Sequence, residues 1–137
     1  MRILVTGSRG WADAAEITEA LDFLLAEHGI LTVVHGACPK GADAIAQNWA
    51  LSAQYASSCG AVTPEPHPAI WRPDGAFDKT AGFRRNAEMV AAGADLCLAF
   101  IRDGSRGASH CADLAEKAGI PTKRFLATVP ESRDDDA

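Results

Sequence analysis

Short apolar runs alternate with amphipathic stretches along this chain, and Gly29, Gly60, Gly93 and Gly119 punctuate the pattern. Each of these glycines ends a helical stretch and precedes an apolar segment, as expected of the residue that closes a helix in the left-handed region. The first strand covers about residues 2–6. A helix follows from Asp13, which caps it, with Glu16 three residues on as a capping box. Its apolar face is Ile17, Leu21, Leu24 and Leu25, at helical spacing. Residues 31–35 read as a second strand, and about 41–59 as a second helix with Ile45, Trp49 and Ala53 on one side. The third strand, about 61–66, contains prolines that place it near a sheet edge. Two prolines and Gly75 make 68–79 a loop, and a third helix follows over about 80–92. Residues 95–101 form the longest apolar run and predict a central strand. A fourth helix is expected from about Ser109, with Cys111, Leu114, Ala115 and Ala118 inward, then a fifth strand over 122–126. Alternation of this kind predicts an α/β fold: a doubly wound parallel sheet of about five strands with helices on both faces. The simplest strand order is 3-2-1-4-5, with a switch point between strands 1 and 4, where ligands bind beyond the carboxyl ends of the strands.

The tetrapeptide Gly-Ser-Arg-Gly occurs after both of those strands, as Gly7-Ser8-Arg9-Gly10 and as Gly104-Ser105-Arg106-Gly107. A glycine turn between strand and helix lets backbone N–H groups approach an anion, and a helix N-terminus and an arginine add positive charge. Two such turns at one switch point predict a grip on a phosphorylated small molecule. One Gly-x-x-Gly alone is equally an ordinary connection, and the dinucleotide fingerprint is not present in the first turn.

Other segments feed the same edge. His35-Gly36-Ala37-Cys38-Pro39-Lys40-Gly41-Ala42-Asp43 spans a strand–helix junction. Gly36 and Gly41 allow close backbone approach, Lys40 offers a point charge, and Asp43 either caps the helix or accepts from a ribose hydroxyl. In Gly82-Phe83-Arg84-Arg85-Asn86-Ala87-Glu88-Met89, Arg85 and Met89 share a helical face. Phe83, Ala87 and Val90 form a second stripe, read as core, and the arginines alternatively face solvent. Ser109 follows the second glycine turn. Trp71 either stacks on a base or plugs the edge of the core. His35, Cys38, His110 and Cys111 have the composition of a zinc set but no finger or ribbon spacing, so no metal and no cofactor is expected.

Composition narrows the ligand class. The 137 residues suffice for one domain, assigned to 1–129, with an acidic, disordered tail over 130–137. Net charge is −5, of which residues 131–137 carry −3. An acidic body with local arginines favours a small anion, and nucleic acid is not the expected partner. No apolar segment is long enough to span a bilayer, and the N-terminus lacks the layout of a signal peptide, which points to a cytoplasmic protein. The four cysteines read as reduced, mostly buried thiols.

Taken in order, Val5-Thr6-Gly7-Ser8-Arg9-Gly10, His35-Gly36, Gly41-Ala42-Asp43, Gly82, Arg85-Asn86, Met89, Gly107-Ala108-Ser109 and Ala118-Gly119-Ile120-Pro121 resemble the YspA-like branch of the SLOG superfamily. The likeness spans roughly residues 2–126. It implies a Rossmann-like fold related to the LOG phosphoribohydrolases and the DprA core. It implies a nucleotide-derived ligand of the ADP-ribose, NAD or nucleoside monophosphate kind, occurrence in bacterial and phage genomes, and a homodimer. LOG enzymes cleave the bond between a base and ribose 5-phosphate, using an arginine, a Pro-Gly-Gly-x-Gly-Thr turn and a later glutamate. Arg85 matches that arginine and Met89 the methionine after it. Asp103-Gly104-Ser105-Arg106-Gly107-Ala108 stands at the turn, with alanine for threonine, and His110 falls at the glutamate position. Glycosidic cleavage wants a nearby carboxylate, for which Glu116 or Asp103 are the substitutes. The resemblance therefore favours a sensor or sequestering protein over a nucleoside 5′-monophosphate phosphoribohydrolase, with Arg85 catalytic only in the enzyme case. DprA-like nucleic-acid binding is the third alternative.

Overall fold

A computed structural model describes residues 1–56 and 61–127. The expected continuation of the second helix to Cys59, the role of Gly60 and the tail over 130–137 lie outside the described residues. The elements run β1 (Arg2–Gly7), α1 (Ala14–His28), β2 (Leu31–His35), α2 (Gly41–Ala56), β3 (Val62–Pro66), α3 (Ala81–Ala92), β4 (Leu96–Arg102), α4 (Arg106–Lys117) and β5 (Thr122–Ala127). The five strands are parallel in the order β3-β2-β1-β4-β5, so the expected α/β topology holds.

The three inner strands, β2, β1 and β4, are buried on both faces because each side chain set meets a helix pair. Ile3, Val5, Leu31, Val33, Leu98 and Phe100 pack with Ile17 and Leu21 of α1 and with Ala42, Ala46 and Ala50 of α2. Leu4, Val34 and Cys97 turn the other way, against Met89, Cys111 and Ala115 of α3 and α4. Alternation along β1 assigns its residues to the two cores in turn. Asp13 caps α1 by accepting from the Glu16 N–H at 3.1 Å. Gly29, Gly93 and Gly119 have φ of 79°, 90° and 84°, the conformation expected of helix-closing glycines.

Two helix faces differ from the sequence expectation, and in a third the expected residues pack at the margin of the core. In α2 the buried face is alanine, and Ile45, Trp49 and Ala53 flank it, half-buried. Small side chains let α2 lie close to the sheet. In α3 the inward residues are Ala81, Asn86 and Met89, whereas Phe83 and Ala87 are exposed. Asn86 is tolerated inside because its amide donates to the Gly107 carbonyl at 3.3 Å. The fourth helix begins at Arg106 instead of Ser109, because Asp103 and Gly104, at φ 54° and 65°, turn the chain within two residues. Its inward face is Ala108, Cys111, Ala112 and Ala115, Leu114 is half-buried, and Ala118 is exposed beyond the helix.

Candidate functional site

Strands β1 and β4 are neighbours, and Gly7 pairs in register with Phe100. Their following turns therefore meet at the carboxyl edge of the sheet. A cavity of about 790 Å³ opens there, within the range of small-molecule sites. Its lining comes from Thr6–Gly10, the turn after β2, the first turn of α2, the loop before α3, α3 itself as far as Met89, and the end of β4 with the turn that follows.

The two tetrapeptides are not equivalent. The first is separated from α1 by Trp11, Ala12 and Asp13. Trp11 is pinned in the core edge-on to Phe100, with centroids 5.4 Å apart, and its Nε1 donates to the Asp13 carbonyl. That copy thus begins no helix of its own and lies against the first residues of α2, where the Ala42 N–H donates to the Ser8 carbonyl at 3.3 Å. The second copy supplies Ser105 as the N-cap residue of α4 and Arg106 as its first helical residue. The hydroxyl of Ser8 accepts from the Arg102 N–H at 2.8 Å, and the Arg102 guanidinium donates to the Gly10 carbonyl at 2.7 Å. Ser8 ties the two turns together, and its hydroxyl is already engaged with Arg102.

All of Gly7, Ser8, Arg9 and Gly10 line the cavity, as do Gly36, Asp43, Arg85, Asn86, Ser105 and Gly107. Lys40, Gly41, Gly104, Arg106 and Ser109 do not. Lys40 and Arg106 point into solvent. Gly41 is needed for another reason: it sits at φ 72°, and a Cβ there would run into the Ser8 and Arg9 backbone. A side chain on Gly7 would likewise meet Ala42 and the Phe100 carbonyl. Both glycines serve the close approach of α2 to the β1 turn.

Gly36 makes room for the Arg85 guanidinium and the Asp43 carboxylate. Arg85 donates to the Gly36 carbonyl and, through Nε, to Asn86 Oδ1 at 2.9 Å, so it faces inward and not into solvent. Asp43 is buried and accepts from the Cys38 N–H at 3.2 Å. It shapes the loop after β2 instead of capping the first turn of α2. Burial raises its pKa, against the Cys38 N–H and the charges of His35 and Arg85. A buried carboxyl with a shifted pKa in a cleft makes Asp43 a candidate for the site.

Residues that the sequence reading did not place in the site complete the wall: Thr6, Lys79, Met89, Phe83, which it read as core, and above all Arg102. Arg102 closes β4 at the switch point, and its place at the end of a central strand was the available clue. Trp71, left between two roles, also lines the cavity. The zinc reading finds no geometric support. Among the described residues no group of three or more His, Cys, Asp or Glu is placed to hold a metal. His35 accepts from the Ala37 N–H at its Nδ1 and pairs with Gln47 at its Nε2. Burial pushes the Cys111 thiol to about 11 and the Cys97 thiol to about 12, as for inert core cysteines. Glu116, one substitute for the missing glutamate, is bound to Arg124 at 3.0 Å and lies outside the cavity, whereas Asp103 lines it. Among the described residues no helix is long and apolar enough to cross a membrane.

The family model of the YspA, cpYpsA-related SLOG family matches residues 1–71. The chain is 47% identical over 125 residues to the gene 61 protein of Mycobacterium phage D29, covering 90% of this chain and 95% of that protein. Among solved structures it is similar to the C-terminal domain of a Pyrococcus furiosus hydrogenase, at 18% identity and a TM-score of 0.47, over 91% of each chain.

Proposed function

This chain belongs to the YspA, cpYpsA-related SLOG family, and from that premise we propose that it binds a nucleotide or nucleotide-derived molecule in the cavity at the carboxyl edge of its sheet. One observation carries the reading. The cavity is lined by four basic side chains, Arg9, Lys79, Arg85 and Arg102, against two carboxylates, Asp43 and Asp103, on a chain whose net charge is −5. Positive charge concentrated in a cleft of an acidic protein attracts and holds an anion. The phosphate lies between Arg9 and Arg102, before the first turn of α4. Ser105 makes no side-chain hydrogen bond to that turn, which leaves helix N–H groups for a ligand. Asp43 and Arg85 lie along the wall for the sugar. The protein then acts as a sensor or a sequestering module.

The test is mass spectrometry of the small molecules released from purified protein by denaturation. A nucleotide-type ion in amounts that follow protein concentration supports the reading. Its absence, together with no binding from a nucleotide panel, sinks it.

A second reading is an N-glycosidic hydrolase, favoured by Asp43. A buried carboxyl with a raised pKa, beside Arg85 and in the cavity wall, suits general acid catalysis. Base release from AMP or ADP-ribose, lost in both Arg85→Ala and Asp43→Asn, would promote it. Tight binding with no base release leaves the sensor.

A further inference from the structure

We propose that the segment 71–78 is a preformed nucleobase platform, on which the Trp71 indole stacks against the base of the nucleotide whose phosphate the two turns hold. The proposal rests on the nucleotide reading above and deepens it.

The segment is built as a rigid loop. Its ends are joined by the Asp78 N–H donating to the Trp71 carbonyl at 2.6 Å, and Gly75, at φ 85°, turns its tip. Asp78 accepts from the Thr80 N–H at 2.9 Å and the Thr80 hydroxyl at 2.8 Å, and pairs with Arg84. The loop is thereby fastened to the start of α3. The indole stacks on the Phe77 ring, with centroids 5.8 Å apart and planes 6° from parallel. The Arg72 guanidinium lies 5.5 Å from the centre of the Phe77 ring. Gly82 leaves room at the far end of the indole, where a Cβ would come within 3.2 Å of Cη2.

Packing does not account for this arrangement. Trp71 belongs to none of the three core clusters. Phe77 is 56% exposed and Ile70 67% exposed. Two aromatic rings kept parallel at a cavity rim, by a loop that makes little core, fit a planar apolar ligand group. Phe77 covers one face of the indole, and the indole itself lines the cavity. The basic groups Arg9 and Arg102 come from the β1 and β4 turns, a different wall of the same cavity. A basic, anion-binding wall and an aromatic platform in one cavity match the two ends of a nucleoside phosphate. Aromatic stacking accepts any base, because every base has a π face, so AMP is a fair probe.

The experiment titrates AMP and ribose 5-phosphate into the wild type, Trp71→Ala and Trp71→Phe by calorimetry, with tryptophan fluorescence in parallel. Trp11 is buried in the core and Trp49 is bound to Asp22 between α1 and α2, and neither lines the cavity, so the change lost in Trp71→Phe is the signal of Trp71. AMP is expected to quench wild-type fluorescence and to bind more tightly than ribose 5-phosphate. Trp71→Ala should weaken AMP on the order of 5- to 150-fold, the range seen for single base–aromatic stacks, and leave ribose 5-phosphate unchanged. Trp71→Phe, which keeps a ring, should retain most of the AMP affinity. Equal wild-type affinity for the two ligands overturns the platform and leaves phosphate binding standing. So does an equal loss for both in Trp71→Ala. Failure of both ligands to bind the wild type overturns the nucleotide reading, and the platform falls with it.

Discussion

Gly41→Ala is the substitution that most directly probes how the site is assembled. Two costs add. An L residue at φ 72° pays about 1–2 kcal/mol of local strain. The new methyl also lands within 3.0 Å of backbone atoms of Ser8 and Arg9, which cannot swing aside as a side chain would. Overpacking of this kind costs about 1–3 kcal/mol. Stiffening of the unfolded chain returns about 0.4–1 kcal/mol. The net loss is about 2–4 kcal/mol, or about 8–16 °C in Tm at roughly 4 °C per kcal/mol for a chain of this size. Gly29→Ala is the matched control, since Gly29 has φ 79° but nothing within 4 Å of its Cβ position. It carries the strain without the collision and should cost only about 0.5–1 kcal/mol. Urea titrations of both variants decide the matter. Equal losses, within about 0.5 kcal/mol, would refute the claim that the β1 turn and α2 must touch.

Other consequences follow from specific contacts. Ser8→Ala removes the acceptor of the Arg102 N–H between the two turns and should cost about 1–3 kcal/mol by urea titration. Unchanged stability in Ser8→Ala would mean that the turns do not depend on this bond. Glu65 is held at about 2, against an ordinary 4.5, by hydrogen bonds from Arg2 and then His67. A depressed carboxyl pKa stabilises the fold above the ordinary value and loses that contribution as pH falls from 4.5 towards 2. The pair is partly exposed, so solvent screening keeps the effect to about 1 kcal/mol. The urea midpoint should drop between pH 5 and pH 3 by more in the wild type than in Glu65→Gln, and parallel profiles would contradict the pairing.

Much of the architecture is written in the pattern of the chain, because its signals are local. Gly29, Gly93 and Gly119 close helices in the left-handed region, Asp13 caps α1, and the prolines of β3 sit on an edge strand. The alternation of elements then leaves few topologies to choose from, and the switch point follows. The site is less legible. Which way a helix rotates depends on what fills the space around it. Phe83 reads as core by spacing, but it meets the His110 ring 4.4 Å away at the cavity rim, while polar Asn86 faces in. The repeated Gly-Ser-Arg-Gly has the same letters with different geometry. Trp11 anchors the chain after the first copy, whereas the second begins a helix after a left-handed Asp103-Gly104 pair. For that reason Arg9 lines the cavity and Arg106 does not. Arg102 escaped notice because a charge at the end of an apolar run reads as the end of a strand. Its contact with Gly10 spans 92 positions of sequence and no local pattern encodes it.

In the proposed function, the basic cleft between the β1 and β4 turns holds the phosphate of a nucleotide. Calorimetric titration of AMP and ADP-ribose into the wild type and into Arg9→Ala/Arg102→Ala tests it most directly. The wild type is expected to bind at least one of the two ligands, more weakly at higher salt, and the double variant to lose roughly 10-fold or more in affinity, as for removal of charge-assisted contacts. Wild-type binding left unchanged by loss of both arginines, or no binding of either ligand by the wild type, would contradict it.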